Sequence, residues 1–355
     1  MDDVLNFVNY LEYIEIDIGD DDNYIPRRYL RNIDDPFELY SDDQFFKRYR
    51  FPKRIVLEHL LKLVNINYRN KRGLPIPTVL QLLTTLRFYA TSNFQAVCGD
   101  LRGIHQSTVS RIIKRISHQI ATKARNYVKF PQTENEWDVV KQEFYDIAGM
   151  PGVGACIDCT HIKIQNPGGP NGEVFRNRKG WFSLNVQVVC GPQMEIYDVV
   201  ARWPGSYHDS FIFNASRACT FFSRNNNNLL LLGDNGYACK PYLFTPLLNP
   251  ITNSEKNYNK AQIKTRNIIE RVFGVWKRKF PCLKRGLANS TLTSVSIILA
   301  CAVLYNISLK LRLLNIEDND NEEVDEVDDH FRDNNLNREI IGAASRRGYI
   351  IRHFS

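Results

Sequence analysis

Apolar positions along this chain change their period midway, and the change separates a helical stretch from one built of strands and helices. From Gln44 to Phe130 the spacing is helical. Phe45, Phe46 and Tyr49 lead into Arg54–Val64, where Ile55, Leu57, Leu60, Leu61 and Val64 share helical spacing. Pro75 and Pro77 punctuate the entry to another helix, Thr78 to Tyr89. Asn93-Phe94 opens a shorter helix, Gln95 to Leu101, which Gly103 stops. Ser107 is the expected N-cap of the next helix, Thr108 to Arg125. Short helix, glycine turn and longer helix together predict a helix-turn-helix.

From Gly152 the pattern shortens to strands. Gly154–Cys159 and His161–Gln165 read as two of them, and Ser183–Cys190 and Glu195–Trp203 as a hairpin turned by Gly191-Pro192-Gln193-Met194. A helix follows Pro204-Gly205, and Leu229–Leu232 is a fully apolar, buried strand. Gln262–Phe280 and Ser294–Leu311 read as long amphipathic helices, and Asn225–Asn228 as a solvated loop. Strands and helices around one central sheet predict an α/β fold, a mixed sheet flanked by helices, preceded by an all-helical domain. The expected organisation is an acidic N-terminal arm (1–43), a helical domain (44–130), an α/β domain (131–313) and an acidic, largely disordered tail (314–355).

Charge sharpens this division. The formal charge of the 355-residue chain is only +7. Residues 1–43 hold 13 Asp/Glu against 3 Lys/Arg, and residues 315–330 hold 9 Asp/Glu with no Lys/Arg. Residues 44–314 carry 38 Lys/Arg against 15 Asp/Glu, an excess of 23 positive charges. A basic body between acidic ends fits a polyanion such as DNA, whose counterions Lys and Arg displace. His105, Gln106, Ser107, Ser110, Arg111, Lys114 and Arg115 are placed to reach a groove or phosphates from the start of the longer helix. No run approaches the ~18 to 20 continuous apolar residues of a membrane span, and the acidic start MDDVLNF has no secretory n-region. Eight scattered cysteines fit reduced thiols, and the lone pair Cys156 and Cys159 lacks the second ligand pair of a zinc site.

Four acidic residues stand out. Asp158 ends the run Gly-Ala-Cys-Ile-Asp, Asp209 starts a helix in WPGSYHDS, Asp234 follows the buried strand in LLLLGDNGY, and Glu270 lies inside the long helix. An apolar strand ending in Asp puts a carboxylate at a sheet edge, where a ligand can enter. Clustered carboxylates repel, and a hard cation such as Mg²⁺ or Mn²⁺ relieves that repulsion. Taken singly, Asp209 and Asp234 read more simply as a turn former or a cap, and only the motifs together and in order point to a site. Arg266, Glu270 and Lys277 fall at i, i+4 and i+11 on one helical face, so Arg266 could hold Glu270 or a phosphate and Lys277 a phosphate. Ile269, Val272, Trp276 and Phe280 form a packing stripe. His161 and His208 flank the proposed centre.

IDCTHI, NRKGWFSLNVQVVC, WPGSYHDS, LLGDNGY and IIERVFGVWK, in this order, resemble the signature blocks of the PIF/Harbinger transposases, over roughly residues 80 to 310. The likeness is closest to the harbinger transposase-derived nucleases. The resemblance implies an RNase-H-like domain in which Asp158, Asp234 and Glu270 form a metal-binding catalytic triad, with Asp209 a competing second carboxylate or auxiliary ligand. It further implies a nuclease or transposase that hydrolyses phosphodiester bonds in DNA with Mg²⁺ or Mn²⁺, a separate Myb-like DNA-binding partner, and a location in nucleus and cytoplasm. Oligomerisation is open. Where the family has Leu-His-Asn, this chain has Leu304-Tyr305-Asn306, and Cys159 replaces the glycine after the first Asp. The other expectation compatible with these residues is a domesticated module on the same fold that binds DNA or protein without cutting.

Overall fold

The structure, a computed structural model, describes residues 35–65, 76–91, 105–224, 229–314 and 336–355. The short helix of the expected helix-turn-helix, the Asn225–Asn228 loop and most of the acidic arm lie outside these residues. Two compact units emerge, each built from two pieces of chain: Met1–Arg125 with Lys277–Tyr305, and Asn126–Trp276 with Asn306–Ser355.

In the first unit every described element is helical. Helix α1 (Pro36–Leu39) is capped by Asp35, and α2 (Asp42–Tyr49) by a reciprocal box of Ser41 and Gln44. Ordered helix thus begins inside the stretch expected to be an acidic arm. Lys53–Ile55 continues as a π turn, Val56–Leu60, and a 3-10 turn, Leu61–Leu63. Helices α4 (Thr78–Thr91) and α5 (Gln106–Ala121) pack together, with the Tyr89 hydroxyl 2.7 Å from Ser117 Oγ. We count Lys53–Ile55 as α3. The N-cap of α5 is His105, not Ser107: the His105 ring accepts from the Ser107 N–H at 3.2 Å. Lys279 is buried here, donates to the Arg50 carbonyl at 2.6 Å and lies over the rings of Phe46 and Phe51. Burial, with Arg50 nearby, lowers its pKa to about 7.

The second unit holds the sheet. After α6 (Ala124–Tyr127), which begins at the boundary, α7 (Glu134–Ala148) ends on Gly149 in a left-handed conformation, φ 71°. Strand β1 runs Val153–Lys163 without a break, where the sequence reading had two strands. β-Branched Thr160 sits at the expected gap and continues the ladder, which pairs Cys156–Lys163 with β2 (Ser183–Cys190). β3 is Ile196–Pro204, and β4 is Leu230–Leu232. With β5 (Leu243–Phe244) the sheet has the order β3-β2-β1-β4-β5. β1, β2 and β3 are antiparallel neighbours; β4 runs parallel to β1, and β5 to β4. The α/β class follows as expected.

Between β3 and β4 lie α8 (Asp209–Asn214) and α9 (Arg217–Arg224). Helix α10 (Asn253–Lys279) is longer than its apolar stripe suggested and begins nine residues earlier, after a Thr252 hydroxyl that accepts from the Glu255 N–H. Its last three residues group with the first unit, as do α11 (Cys282–Arg285) and most of α12 (Thr291–Lys310). The expected catalytic domain, 131–313, is therefore interrupted. By length and composition α12 could cross a membrane, but most of it is buried within the protein, as in the core helix of many soluble proteins.

Asn306 ties β3 to α6 within the second unit. Its Oδ1 accepts from the Ile196 N–H at 2.9 Å, and its Nδ2 donates to the carbonyls of Tyr127 and Ile196 at 2.8 and 2.7 Å. Asn306→Ala is expected to cost about 2–3 kcal/mol in a urea titration, because three bonds worth roughly 1 kcal/mol each are lost.

The C-terminal stretch corrects another expectation. Leu336–Phe354 forms a helix, α13, and belongs to the second unit rather than to a disordered tail. Tyr349 stacks edge-on to Phe244 of β5 at 5.3 Å and donates to the Pro151 carbonyl at 2.8 Å, while Arg346 donates to Thr245 and Pro246. Apolar Tyr349, Ile350 and Phe354 decide this; composition dominated by the acidic run before them hid it.

Candidate active site

The short strand β4 creates the site. In the β1–β4 ladder Cys156 stands beside Leu232, where β4 ends. β1 continues, so two residues on, Asp158 and Asp234 come abreast beyond the last strand pair. There the chain after β4 turns away: the Asp234 carboxylate accepts from the Gly236 N–H at 3.1 Å, and the Tyr237 N–H donates back to the Asp234 carbonyl.

Asp209 arrives from the other side, as the first residue of α8. Asn185 of β2 fixes it, donating from Nδ2 to Asp209 Oδ1 at 2.8 Å and to the Tyr207 carbonyl at 2.9 Å. A Cβ on Gly236 would lie 3.1 Å from Asp234 Oδ1 and 3.7 Å from Asp209 Oδ2, so both carboxylates converge on that glycine. Asn185 is a polar residue in the otherwise mostly apolar run Ser183–Cys190. That break in the pattern was the available signal for a role it was not assigned. Tyr237, whose hydroxyl lies 3.4 Å from Cys159 Sγ, was likewise not singled out.

α10 supplies the remaining pieces. It packs on the face of β1 that carries Cys156 and Asp158, with Cys156 Sγ 3.7 Å from the Thr265 carbonyl. The next residue, Arg266, bridges two acids, donating to Asp158 Oδ2 at 3.1 Å and to Glu270 Oε1 at 2.5 Å. The Arg266 side chain is only 10% exposed and these bonds go to carboxylates, the first of the two roles open to it. Lys277 lies on the same helix but in the first unit.

Electrostatics report the crowding. Burial raises the Asp158 carboxyl well above the ordinary carboxylate range; Asp234 and Asp209 push the same way, and Arg266 and the Cys159 N–H only partly oppose them. Burial works against the Arg266 charge, yet Asp158, Glu270 and Asp234 together hold its pKa above normal. Asp158, Glu270 and Asp234 all act on the Arg266 charge, and Asp234 and Asp209 act on Asp158, so the four acids and one guanidinium form a single coupled charge cluster. Two like charges ~4 Å apart repel by roughly 4 kcal/mol at an effective dielectric near 20. All four donors are hard oxygens, the ligand type that Mg²⁺ and Mn²⁺ take. Among the described residues no three His, Cys, Asp or Glu side chains close on one point as a finished cage.

The two flanking histidines have defined partners. His161 Nδ1 lies 3.0 Å from Ser183 Oγ, and its ring meets Trp181 edge-on at 5.9 Å. His208 stands at the N-cap position of α8 and receives a bond from Arg178 at 2.6 Å; burial and then Arg178 lower its pKa. Of the basic residues expected to contact DNA, Arg111, Lys114 and Arg115 are exposed on α5, and Arg115 bonds Gln81.

Comparison with known proteins bears on this geometry. A family model described as DDE superfamily endonuclease matches residues 157–306, a span that includes all four acids. The chain is 35% identical over 286 residues to the Homo sapiens protein named "Putative nuclease HARBI1", covering 78% of this chain and 81% of that one. It is 30% identical over 278 residues to the Xenopus laevis protein of the same name, covering 76% and 79%. "Protein ALP1-like" of Arabidopsis thaliana is 24% identical over 269 residues, covering 71% and 66%. No solved structure matches the chain.

Proposed function

This chain belongs to the harbinger transposase-derived nucleases, a family of DDE superfamily endonucleases, and from that premise we propose that it cuts DNA with a divalent cation held at Asp158, Asp209 and Asp234, with Glu270 completing the carboxylate set. The observation that carries the reading is the convergence of the three aspartates: burial first, then Asp234 and Asp209, raise the pKa of Asp158 despite Arg266 beside it. The strand order, three antiparallel strands followed by two parallel ones, supports an RNase-H-like frame around it.

Bound there, Mg²⁺ or Mn²⁺ would activate the attacking oxygen and stabilise the leaving one at a phosphodiester. The chain's own residues set the stage. Asn185 holds Asp209 in one rotamer, the Gly236 N–H holds Asp234, and Arg266 neutralises part of the charge on Asp158 and Glu270. Exposed Arg111 and Lys114 on α5 are proposed DNA contacts, with a Myb-like protein as partner and the nucleus and cytoplasm as location.

A supercoiled plasmid incubated with purified protein tests the reading. Nicking is expected with Mg²⁺ or Mn²⁺, none with EDTA, and a loss of about a hundredfold or more in Glu270→Gln, about 3 kcal/mol of barrier. Nicking that survives EDTA, or that Glu270→Gln leaves at full rate, defeats the proposal.

A further inference from the structure

Just beside the carboxylates, on the same unit, the chain builds a small rigid turn whose tip is cationic. Asn177 is buried, and its backbone and side chain organise the turn: its N–H donates to the Trp181 carbonyl at 2.9 Å, its carbonyl accepts from the Gly180 N–H at 2.9 Å, and its Oδ1 accepts from the Trp181 N–H at 3.2 Å. Gly180 has φ 84°, a conformation that favours glycine. Arg176 braces the base, bonded to Glu173 and to the Gly180 carbonyl, with its guanidinium 4.4 Å from the centre of the Phe182 ring. Arg178 and Lys179 project from the tip, both exposed.

Two separate contacts fasten this turn to the walls of the acidic site. Arg178 bonds His208, the residue directly before Asp209. Trp181 rests on His161, three residues after Asp158 on β1. The four acids would repel a DNA backbone brought up to them, so neighbouring phosphates need positive charge supplied at close range. A tip already fixed by its own hydrogen bonds supplies that charge with little ordering cost.

We infer that Arg178 and Lys179 form a phosphate clamp that grips duplex DNA next to the bond to be cut. The clamp is a binding element, positioning the backbone relative to Asp158 and Asp209. The inference rests on the nuclease reading only for the phrase "to be cut"; the grip itself is a claim about binding.

Binding and cutting are therefore measured apart, with the full chain. Fluorescence anisotropy of a labelled random-sequence duplex, in EDTA and over a salt series, gives affinity and its salt slope. Arg178→Ala with Lys179→Ala is expected to weaken binding at least about tenfold and to flatten the log–log salt slope by about 1.8, the release of two counterions. Removing two exposed lysines elsewhere, Lys256→Ala with Lys260→Ala, is the matched control and is expected to change far less. In the plasmid assay the tip variant should raise KM with kcat within about twofold. An unchanged affinity and slope in the tip variant, or an equal loss in the control, overturns the clamp. A wild-type protein that binds with the expected slope yet never cuts leaves the clamp supported and sinks the nuclease reading alone.

Discussion

Asp158→Asn is expected to abolish nicking while making the protein more stable to heat. Both outcomes have one cause. The carboxylate is largely withdrawn from water beside Asp234 and Asp209; burial first, then these two acids, raise its pKa beyond what Arg266 can reverse. A carboxyl whose pKa is higher in the native chain than in the unfolded one binds more protons when folded. Stability then falls as pH rises from about 4, the unfolded value, toward the raised folded value, so at neutral pH this carboxyl works against folding. Asn keeps the shape and drops the charge. Without a divalent cation, the melting temperature of Asp158→Asn should exceed that of wild type at pH 7, and the gap should close as pH falls toward 4. Added Mg²⁺ should raise the melting temperature of wild type and leave the variant nearly unmoved. In cleavage, a drop of at least about a thousandfold, roughly 4 kcal/mol of barrier, is expected. A variant that is less stable than wild type at pH 7, and still cuts, would show that Asp158 is an ordinary structural carboxylate.

The second large effect concerns α13. Gly342 lies against backbone: a Cβ there would come 2.2 Å from the Cys239 carbonyl oxygen and 2.8 Å from the Lys240 Cα. Neither is the loose end of a side chain, so Gly342→Ala forces the helix off its seat. The seat is the segment that follows Asp234 and leads into β5. Lifting α13 also uncovers β5, a two-residue strand at the edge of the sheet, and breaks the Arg346 and Tyr349 bonds. A loss of about 2–3 kcal/mol is expected, at the upper end for overpacking. Limited proteolysis should then remove the C-terminal helix from Gly342→Ala at protease concentrations that leave wild type whole. Equal resistance of the two proteins would mean that the helix is seated differently.

How much of this could be read beforehand depended on the range of the interaction involved. The β2–β3 hairpin followed from alternation and a Gly-Pro turn, both local, and its strands fall where expected. The long helices followed from periodicity, with errors at their ends, because a cap such as Thr252 or His105 is a single side chain outside the apolar stripe. Strand β1 read as two because nothing local shows that β2 pairs along its whole length. The candidate acids were legible because Asp158 and Asp234 follow apolar runs, Asp209 stands at a helix start and Glu270 lies in a helix of strong period. Asn185 was not singled out: its importance lies in reaching Asp209, 24 residues away in sequence. The tip at Arg178 and Lys179 was seen as part of a family block, and its place beside His208 emerged only from packing.

Taken alone, the order of residues determined which segments become strands or helices, the charge of the body, and the identities of Asp158, Asp209, Asp234 and Glu270, since these depend on near neighbours and on composition. Tertiary structure decided the rest. It brought β4 to a stop two residues short of Asp234, placed Arg266 between Asp158 and Glu270, and folded the last helix onto β5. Each of those outcomes is a contact between residues far apart in the chain, settled by burial and charge in three dimensions, and no local period records it.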